Sequence, residues 1–425
     1  MSKYTSQLAS ISQRVICWGL AAILLLMPFH AFFSIYFGSL GFNQSLVQSW
    51  KEVLVVLLTI VWLIFVLLKN KLPFRLDPTN VLFIAIVGLS LIVTIVIRPN
   101  PEAVLFGIKT NLVAIVVFFI AQIPLPSKVW INKNLLWLVL VPGFLVAILA
   151  ILQATVVPES LMASLGYNSS TINPKQIVDG SIPFHRAFAT LGGPNQLGTY
   201  LILPMVFSLV YGLKQKKFWL LIISFATAVG IGLSFSRSAW IAAAFALIVS
   251  IAFIVNRKGK IILAGSIVVI MALTVLLLPS AIQNNPRLEN VLLHGRVFED
   301  RLEGSDQLRL DAIEITTKEV LNRPFGHGLG SAGPASFQTS SPVIPENWYL
   351  QIAYEIGIVG AVLYILAFAA LLGDFIRNRK QLLAVSLFAV TSGVLVANLF
   401  LHSWADSTLV LIMFVLYGLY KGHRK

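Results

Sequence analysis

The chain has 425 residues, of which 57% are hydrophobic and 11% are charged, and its mean hydropathy is +0.87. Soluble domains carry roughly 25% charged residues, so this composition excludes a soluble globular protein. The net charge of +14 would indicate a nucleic-acid partner in a soluble protein. In so apolar a chain, the distribution of the charged residues among the loops is more informative than the net charge.

Apolar runs long enough to cross a bilayer, roughly 20 residues each, recur along the chain. The predicted fold class is all-α: a polytopic integral membrane protein with about 12 transmembrane helices and two extracytoplasmic segments. Residues 1–425 form a single membrane domain in this prediction. The predicted spans lie near residues 15–37, 53–68, 80–97, 104–122, 135–157, 196–213, 217–234, 238–256, 260–279, 349–372, 381–400 and 406–420.

Basic residues are concentrated in every second loop between these predicted spans. With a cytoplasmic N-terminus, the inner segments hold 19 of the 31 basic residues but only Asp77 and Asp374 of the 17 acidic ones. Loops of this composition lie on the cytoplasmic side of a membrane. We therefore predict a multi-pass protein of the cytoplasmic membrane with both termini in the cytoplasm, and no nucleic-acid partner.

The larger of the two outer segments is predicted as a loop over residues 280–346. Its stretch "QLRLDAIEITTKEVLNRP" places Leu310, Ile313 and Leu321 on one helical face. This pattern predicts an amphipathic helix that lies on the outer leaflet or packs over the bundle. Pro324 would end the helix, because proline supplies no amide donor.

The stretch "NRPFGHGLGSAG", residues 322–333, follows this helix and contains four glycines and His327. Glycine-rich turns can cradle phosphate, let a loop bend, or mark a broken membrane helix. The sequence leaves these three alternatives open.

The smaller outer segment, from about residue 158 to residue 195, ends in "HRAFATLGGPNQLGTYLILP". Asn195 is predicted to cap the helix of the sixth span, whose N-terminal amides can bind an anion. Arg186 lies nine residues earlier and can face the same site. The alternative is that Asn195 only caps the helix and Arg186 only contacts lipid phosphate.

"GLSFSRSAWIAA" places Arg237 between two apolar runs with almost no loop. A charge at membrane depth costs roughly 2.5–3.5 kcal/mol on insertion scales, so such a residue indicates function. Lys109 in "FGIKTNLVAIV" is a similar cation, and Glu355 in "YEIGIVG" could pair with either of them.

Four stretches together, "RAFATLGGPNQLGTYL", "SFSRSAW", "NRPFGHGLG" and "ENWYLQIAYEIGIVG", resemble the O-antigen ligase-like membrane proteins, which include polysaccharide polymerases. The resemblance covers roughly residues 180–375. It implies a metal-independent glycosyltransferase without cofactors, located in the bacterial cytoplasmic (inner) membrane. Its donor would be a glycan on undecaprenyl diphosphate, and its acceptor a sugar or glycolipid at the outer face.

The ligases carry a histidine followed by Asn, Ser or Gln, then nine residues, then Gly-x-x-Gly. This motif aligns on Glu346, Asn347, Gly357 and Gly360. Glu346 replaces the histidine, which leaves open whether the chain is a ligase or a polymerase.

The chemistry of the residues agrees with this resemblance. The sequence has no Asp-x-Asp motif and no His/Cys cluster with metal-ligand spacing, so the expected metal ligands are none. Arg186 and Arg237 can bind the leaving diphosphate bidentately. Glu346 is the predicted catalytic base beside Asn347, with His327 in reserve.

Two other classes remain as alternatives. A polysaccharide or lipid-sugar transporter (flippase) predicts two related halves with paired broken spans, and no such repeat is visible in the sequence. A peptidoglycan glycosyltransferase shares the donor lipid but should carry its own acidic loop motif, which the sequence lacks.

Overall fold

A computed structural model of the chain describes residues 3–124, 130–178, 184–259 and 305–423, together with 261–262, 264–267 and 285. Within these residues the fold is all-α apart from one antiparallel pair of two-residue strands, β1 (Ile177–Val178) and β2 (Phe184–His185). The helices are α1 Lys3–Leu26, α2 His30–Ser39, α3 Gln44–Gln48, α4 Trp50–Lys69, α5 Pro78–Ile97, α6 Pro101–Gly107, α7 Val113–Ile120, α8 Trp130–Thr155, α9 Glu159–Ser164, α10 Pro194–Gln215, α11 Trp219–Leu233, α12 Arg237–Ile254, α13 Ser305–Asn322, α14 Trp348–Arg377, α15 Leu382–Ala397 and α16 Ser407–His423.

Eleven of the twelve predicted spans correspond to apolar helices. Eight of the helical stretches in the described residues are long and apolar enough to cross a membrane, and three shorter apolar helices (α11, α15 and α16) have 15 to 17 residues. The predicted span 260–279 lies outside the described residues, apart from a few positions. The polytopic all-α fold class is confirmed.

The chain divides into two compact units. The first unit comprises Met1–Pro142, Ala312–Phe388 and Asn398–Lys425, and the second comprises Gly143–Asp311 and Ala389–Ala397.

Aromatic rings form the core of the first unit. Phe83 packs against Phe118 and Phe414, with ring centroids 5.0 and 5.5 Å apart, and Phe368 stacks on Trp404 at 5.3 Å. Such ring pairs contribute about 0.5–1.5 kcal/mol each beyond the area they bury. They link α5, α7, α14 and α16 into one bundle.

The central helix of the second unit is α10. Small residues let its neighbours approach closely: a Cβ on Gly198 would lie 2.5 Å from the Ala239 side chain, and one on Gly230 would lie 2.7 Å from Leu201. Helix packing between membrane spans uses small residues in this way. As a result α11 and α12 both lie directly against α10.

The tenth predicted span, α14, is broken. Ile356 and Gly357 have non-helical backbone angles, and Gly357 has a φ of 79°. Only glycine adopts such a φ without a steric cost. The residues before and after this position are therefore two helical pieces.

Helix α13 is found where the sequence predicts it. Its buried residues, however, include Thr316 and Val320, while Leu310 and Leu321 are 60% and 67% exposed. The predicted leucine face therefore does not pack against the described protein. Residues 280–304 of the predicted outer loop lie outside the described residues, apart from Asn285.

Candidate functional site

Hydrogen bonds within the second unit hold Arg186 in place. Its backbone N–H donates to Gln176 O (2.8 Å), beside the β1–β2 pair. Its guanidinium donates from Nε to Ser234 O (3.1 Å) and from Nη2 to Asn195 Oδ1 (3.1 Å). The side chain is half-buried. The guanidinium thus lies between the start of α10 and the corner that joins α11 to α12.

Asn195 does not cap α10, and that prediction was wrong. The helix begins at Pro194, and the preceding Gly193 makes no side-chain cap. Proline suits the first helical position because it has no N–H to satisfy and its φ is already helical. This start places Asn195 in the first turn, where its side chain accepts the hydrogen bond from Arg186.

Arg237 is the first residue of α12, so it lies at a helix N-terminus. Helices α10 and α12 start side by side, because Gly198 of α10 faces Ala239 of α12 and the Ser234 hydroxyl. The hydroxyl of Ser236, the residue before α12, is buried and has no hydrogen-bond partner within the described ranges. Two helix N-termini, each with a partial positive charge, therefore adjoin one another near Arg186.

A cavity of about 350 Å³ opens beside Arg186 in the second unit. Its polar lining includes Gln153, Glu159 and His185, and the His185 Nδ1 atom lies 3.8 Å from Glu159 Oε1. The rest of the lining is largely apolar, from residues of α8 and the following loop. Its volume is at the lower end of the range for small-molecule sites, roughly 300–1,000 Å³.

Glu346 and Asn347 stand at the start of α14 in the first unit. The Asn347 side chain accepts from Leu350 N (3.1 Å) and so is the helix cap, and its amide donates to Leu399 O (3.1 Å). Glu346 is therefore not the capping residue. It is half-buried and has a φ of 53°, in the left-handed region.

A left-handed φ costs a residue with a Cβ about 1–2 kcal/mol. Strain of this kind concentrates at functional sites, where the surrounding structure holds it in place. Ala189, in the same turn segment as Arg186, has a φ of 50° and is a second example.

The glycine-rich turn packs into the break in α14. Gly328 N donates to Glu355 O (2.8 Å), and Ile358 N donates to Pro324 O (2.9 Å). These bonds satisfy backbone groups that the break removes from the helix. The glycine-rich turn is therefore a bent loop that docks on the broken helix α14, and the break itself lies at Ile356 and Gly357.

His327 is bound to the same break. Its backbone N–H donates to Tyr354 O (2.8 Å), and its ring stacks on the Tyr354 ring with centroids 3.9 Å apart. Burial lowers the pKa of His327 below its usual range, and the nearby Arg323 lowers it further. Two contacts raise the pKa: the ring Nδ1 atom lies 3.1 Å from Tyr354 O, and the Glu319 carboxylate lies 4.0 Å from Nε2.

In the part of the chain that the structure describes, the predicted ion pairs of Glu355 are not formed: Glu355 and Lys109 each have other partners. Glu355 is fully buried and accepts from Asn111 Nδ2 (2.6 Å) and from Gly330 N (3.2 Å). Lys109 contacts Glu52 at 2.9 Å. Glu355 therefore fixes the glycine-rich turn in place, which is a structural role.

The structure thus joins Arg186 to Asn195 directly, places Arg237 at the neighbouring helix start, and keeps Glu346 beside Asn347.

Two residues that position the site are not predicted from the sequence. The carbonyl of Ser234 orients Arg186, and the side chain of Gln153 accepts from the Phe188 and Ala189 amides at 3.0 and 2.7 Å. A backbone carbonyl leaves no sequence signal, and Gln153 lies inside an apolar span. Among the described residues, no group of three or more His, Cys, Asp or Glu side chains could hold a metal ion.

The fold is that of a polytopic all-α membrane protein, with Arg186 bonded to the first turn of α10 and Arg237 at the start of α12. A family model described as O-antigen ligase matches residues 219–365. This match confirms the resemblance to the O-antigen ligase-like family and indicates a glycosyl-transferring role in polysaccharide biosynthesis. The matched segment contains Arg237, His327, Glu346 and Asn347, whereas Arg186 and Asn195 precede it. No match was found among curated proteins.

Proposed function

We propose that this protein transfers a glycan from undecaprenyl diphosphate to an acceptor sugar at the outer face of the bacterial cytoplasmic membrane. The observation that carries the proposal is the position of Arg186, oriented by Ser234 and Asn195 next to two helix N-termini. Cationic and amide donors that are fixed before the reaction stabilise developing anionic charge most effectively.

In this mechanism the acceptor hydroxyl attacks the anomeric carbon of the donor sugar. The bond from that carbon to the diphosphate oxygen breaks, and undecaprenyl diphosphate leaves with the electron pair. Arg186 and Arg237 stabilise the negative charge on the leaving group through bidentate hydrogen bonds. No metal ion takes part, because the two guanidinium groups supply the positive charge.

Glu346 takes the proton from the acceptor hydroxyl. The glutamate lies two residues before the start of α14 and is half-buried, as a general base at the edge of a membrane helix would be. Asn347 positions it by capping the helix. His327 remains a second candidate for the base, although its ring is stacked on Tyr354.

The cavity beside Arg186 is the proposed position of the first sugars of the donor. Its glutamine, glutamate and histidine side chains offer donors and acceptors to hydroxyl groups, and its apolar wall suits the faces of a sugar ring. A short saccharide fits this volume, so the pocket would select the reducing end of the donor glycan.

Profiling of lipid-linked glycans in a deletion strain tests the proposal. Unpolymerised single units on undecaprenyl diphosphate would indicate a polymerase, and long unattached chains would indicate a ligase. In either case the glycans accumulate at the outer face, where externally added glycosidases reach them.

A transporter or flippase is the second candidate, because the broken helix α14 is typical of transporters. In that case the deletion strain would accumulate donor that external enzymes cannot reach. The glycine-rich turn fills the break with backbone hydrogen bonds, which favours a fixed structure over a transport pathway.

A further inference from the structure

A second polar site lies in the first unit, at the C-terminal ends of α14 and α16. It is a cavity of about 310 Å³ whose lining includes Arg75, Asp77, Asp374, Arg377 and Lys421. None of these residues takes part in the proposed transfer.

Lys421 is the buried centre of this site. Its side chain is 4% exposed, and its Nζ atom contacts Asp77 Oδ2 at 2.8 Å and Asp374 Oδ2 at 2.6 Å. Asp77 also caps α5 by accepting from Asn80 N (3.1 Å). The ion pairs therefore fix the ends of α5, α14 and α16 around the cavity.

The remaining positive charge lies at the rim. Asp374 uses its other oxygen to accept from Arg377 Nη2 (3.0 Å), so its two oxygens each contact a cation. Arg377 and Arg75 are both exposed, and with Lys421 they give three cations against two carboxylates. The net charge of the lining is thus one positive unit, and both of its guanidinium side chains are exposed.

The site lies far from the proposed base. Glu346 precedes α14, and the helical piece after the break at Gly357 runs about 20 residues further to Arg377, a rise of about 30 Å. The proposed orientation puts this end at the cytoplasmic leaflet, which is rich in anionic lipid.

We propose that this cavity binds a phosphate group, either that of an anionic phospholipid headgroup or a free phosphate ion. Basic pockets between membrane helices on the cytoplasmic side bind lipid headgroups. The forked donors of Arg75 and Arg377 suit phosphate oxygens. The Lys421 network holds the helix ends, so the site is formed before the ligand arrives.

Native mass spectrometry of the purified full-length protein tests this inference, with phosphatidylglycerol in one arm and inorganic phosphate in the other. The parental protein should bind at least one of the two probes, and Arg75→Gln/Arg377→Gln should bind it at least about tenfold more weakly. The arm that shows binding identifies the source of the phosphate.

Lys69→Gln/Lys71→Gln is the matched control. It removes the same charge from exposed lysines, a few residues before Arg75 in the chain, that do not line the cavity. Its binding should equal that of the parental protein. Binding of neither probe, or an equal loss in both double variants, would overturn the inference. Sugar transfer by the arginine double variant should be unchanged, which keeps this result separate from the proposed function.

Discussion

The guanidinium of Arg186 donates a hydrogen bond to Asn195 Oδ1, 3.1 Å away, in the first turn of α10. The same side chain donates to Ser234 O, three residues before Arg237. One arginine therefore links the first turn of α10 to the corner that joins α11 to α12. This geometry explains why two polar motifs that are about forty residues apart in the sequence belong to one site.

Asn195→Ala should lower transfer less than loss of either arginine does. The substitution removes one acceptor that orients Arg186 but leaves both positive charges and the bond to Ser234 O. A hydrogen bond from a charged group contributes about 1.5–3 kcal/mol. Because Ser234 O still orients the guanidinium, we expect a rate loss near the lower end of this range, about tenfold. Asn195→Asp restores the acceptor and should recover orientation, although its charge would repel the donor diphosphate. Steady-state transfer kinetics with Asn195→Ala check this. A loss as large as that of Arg186→Ala would mean that Asn195 itself contacts the donor.

The proposed base can be tested apart from the backbone that carries it. Glu346→Gln keeps the shape of the side chain but removes the base, and should lower the rate by about 10²–10⁴-fold. Glu346→Gly should lose transfer as well but keep or raise thermal stability, because glycine adopts the left-handed φ of 53° without strain. If Glu346→Gln transfers sugar at the parental rate, Glu346 is not the catalytic base.

His327 should make stability depend on pH in a defined direction. Burial lowers its pKa in the folded state, so the unfolded chain binds the proton more readily. Its contribution to stability is complete above the unfolded pKa of about 6.5, and it is lost as the pH falls from there toward the folded pKa. Thermal unfolding between pH 5 and 8 should show this loss in the parental protein and a smaller one in His327→Gln. Equal pH profiles of the parental protein and His327→Gln would show that His327 does not cause the loss of stability.

The glycine-rich turn gives a prediction about packing. A Cβ on Gly330 would collide with the Ala103 backbone carbonyl, whereas a Cβ on Gly41 would meet nothing within 4 Å. Both glycines have positive φ values, so both alanine variants pay about 1–2 kcal/mol of backbone strain. Gly330→Ala should lose more than about 4 kcal/mol because backbone atoms must also move. Equal shifts in the unfolding temperature would show that the turn is not held against α6.

The sequence predicts much of the fold, but it does not predict the contacts between segments that are distant in the chain. Apolar length locates the spans, and the glycine and proline pattern around Gly326 and Gly357 indicates an irregular region. The pairing of that turn with the break in α14 does not follow, because it depends on backbone contacts between segments about thirty residues apart. The cap of α10 was predicted wrongly because Pro194 starts the helix one residue before Asn195. The acidic partner of Lys109 is Glu52, on another helix, and no local pattern links the two.

The orientation of the chain is open to a direct test. In a Cys17→Ala background, which removes the buried native thiol, Ser340→Cys should react with a membrane-impermeant thiol reagent in intact cells. Asn70→Cys should not react until the membrane is permeabilised. Both side chains are exposed in the structure, so access depends on the side of the membrane. Labelling of Asn70→Cys alone would move the proposed chemistry to the cytoplasm.

The central claim is that Arg186 and Arg237 stabilise a leaving lipid diphosphate. The most direct measurement is the rate of undecaprenyl diphosphate release by the purified protein, given lipid-linked glycan and acceptor in the presence of a metal chelator. The parental protein should release it. Arg186→Ala and Arg237→Ala should each be slower by roughly 10²–10³-fold, and the lysine variants should recover only in part. Arg257→Ala, three residues beyond the other end of α12, should be unaffected. Parental rates in both alanine variants at equal folded concentration, or release that requires added divalent metal, would contradict the account.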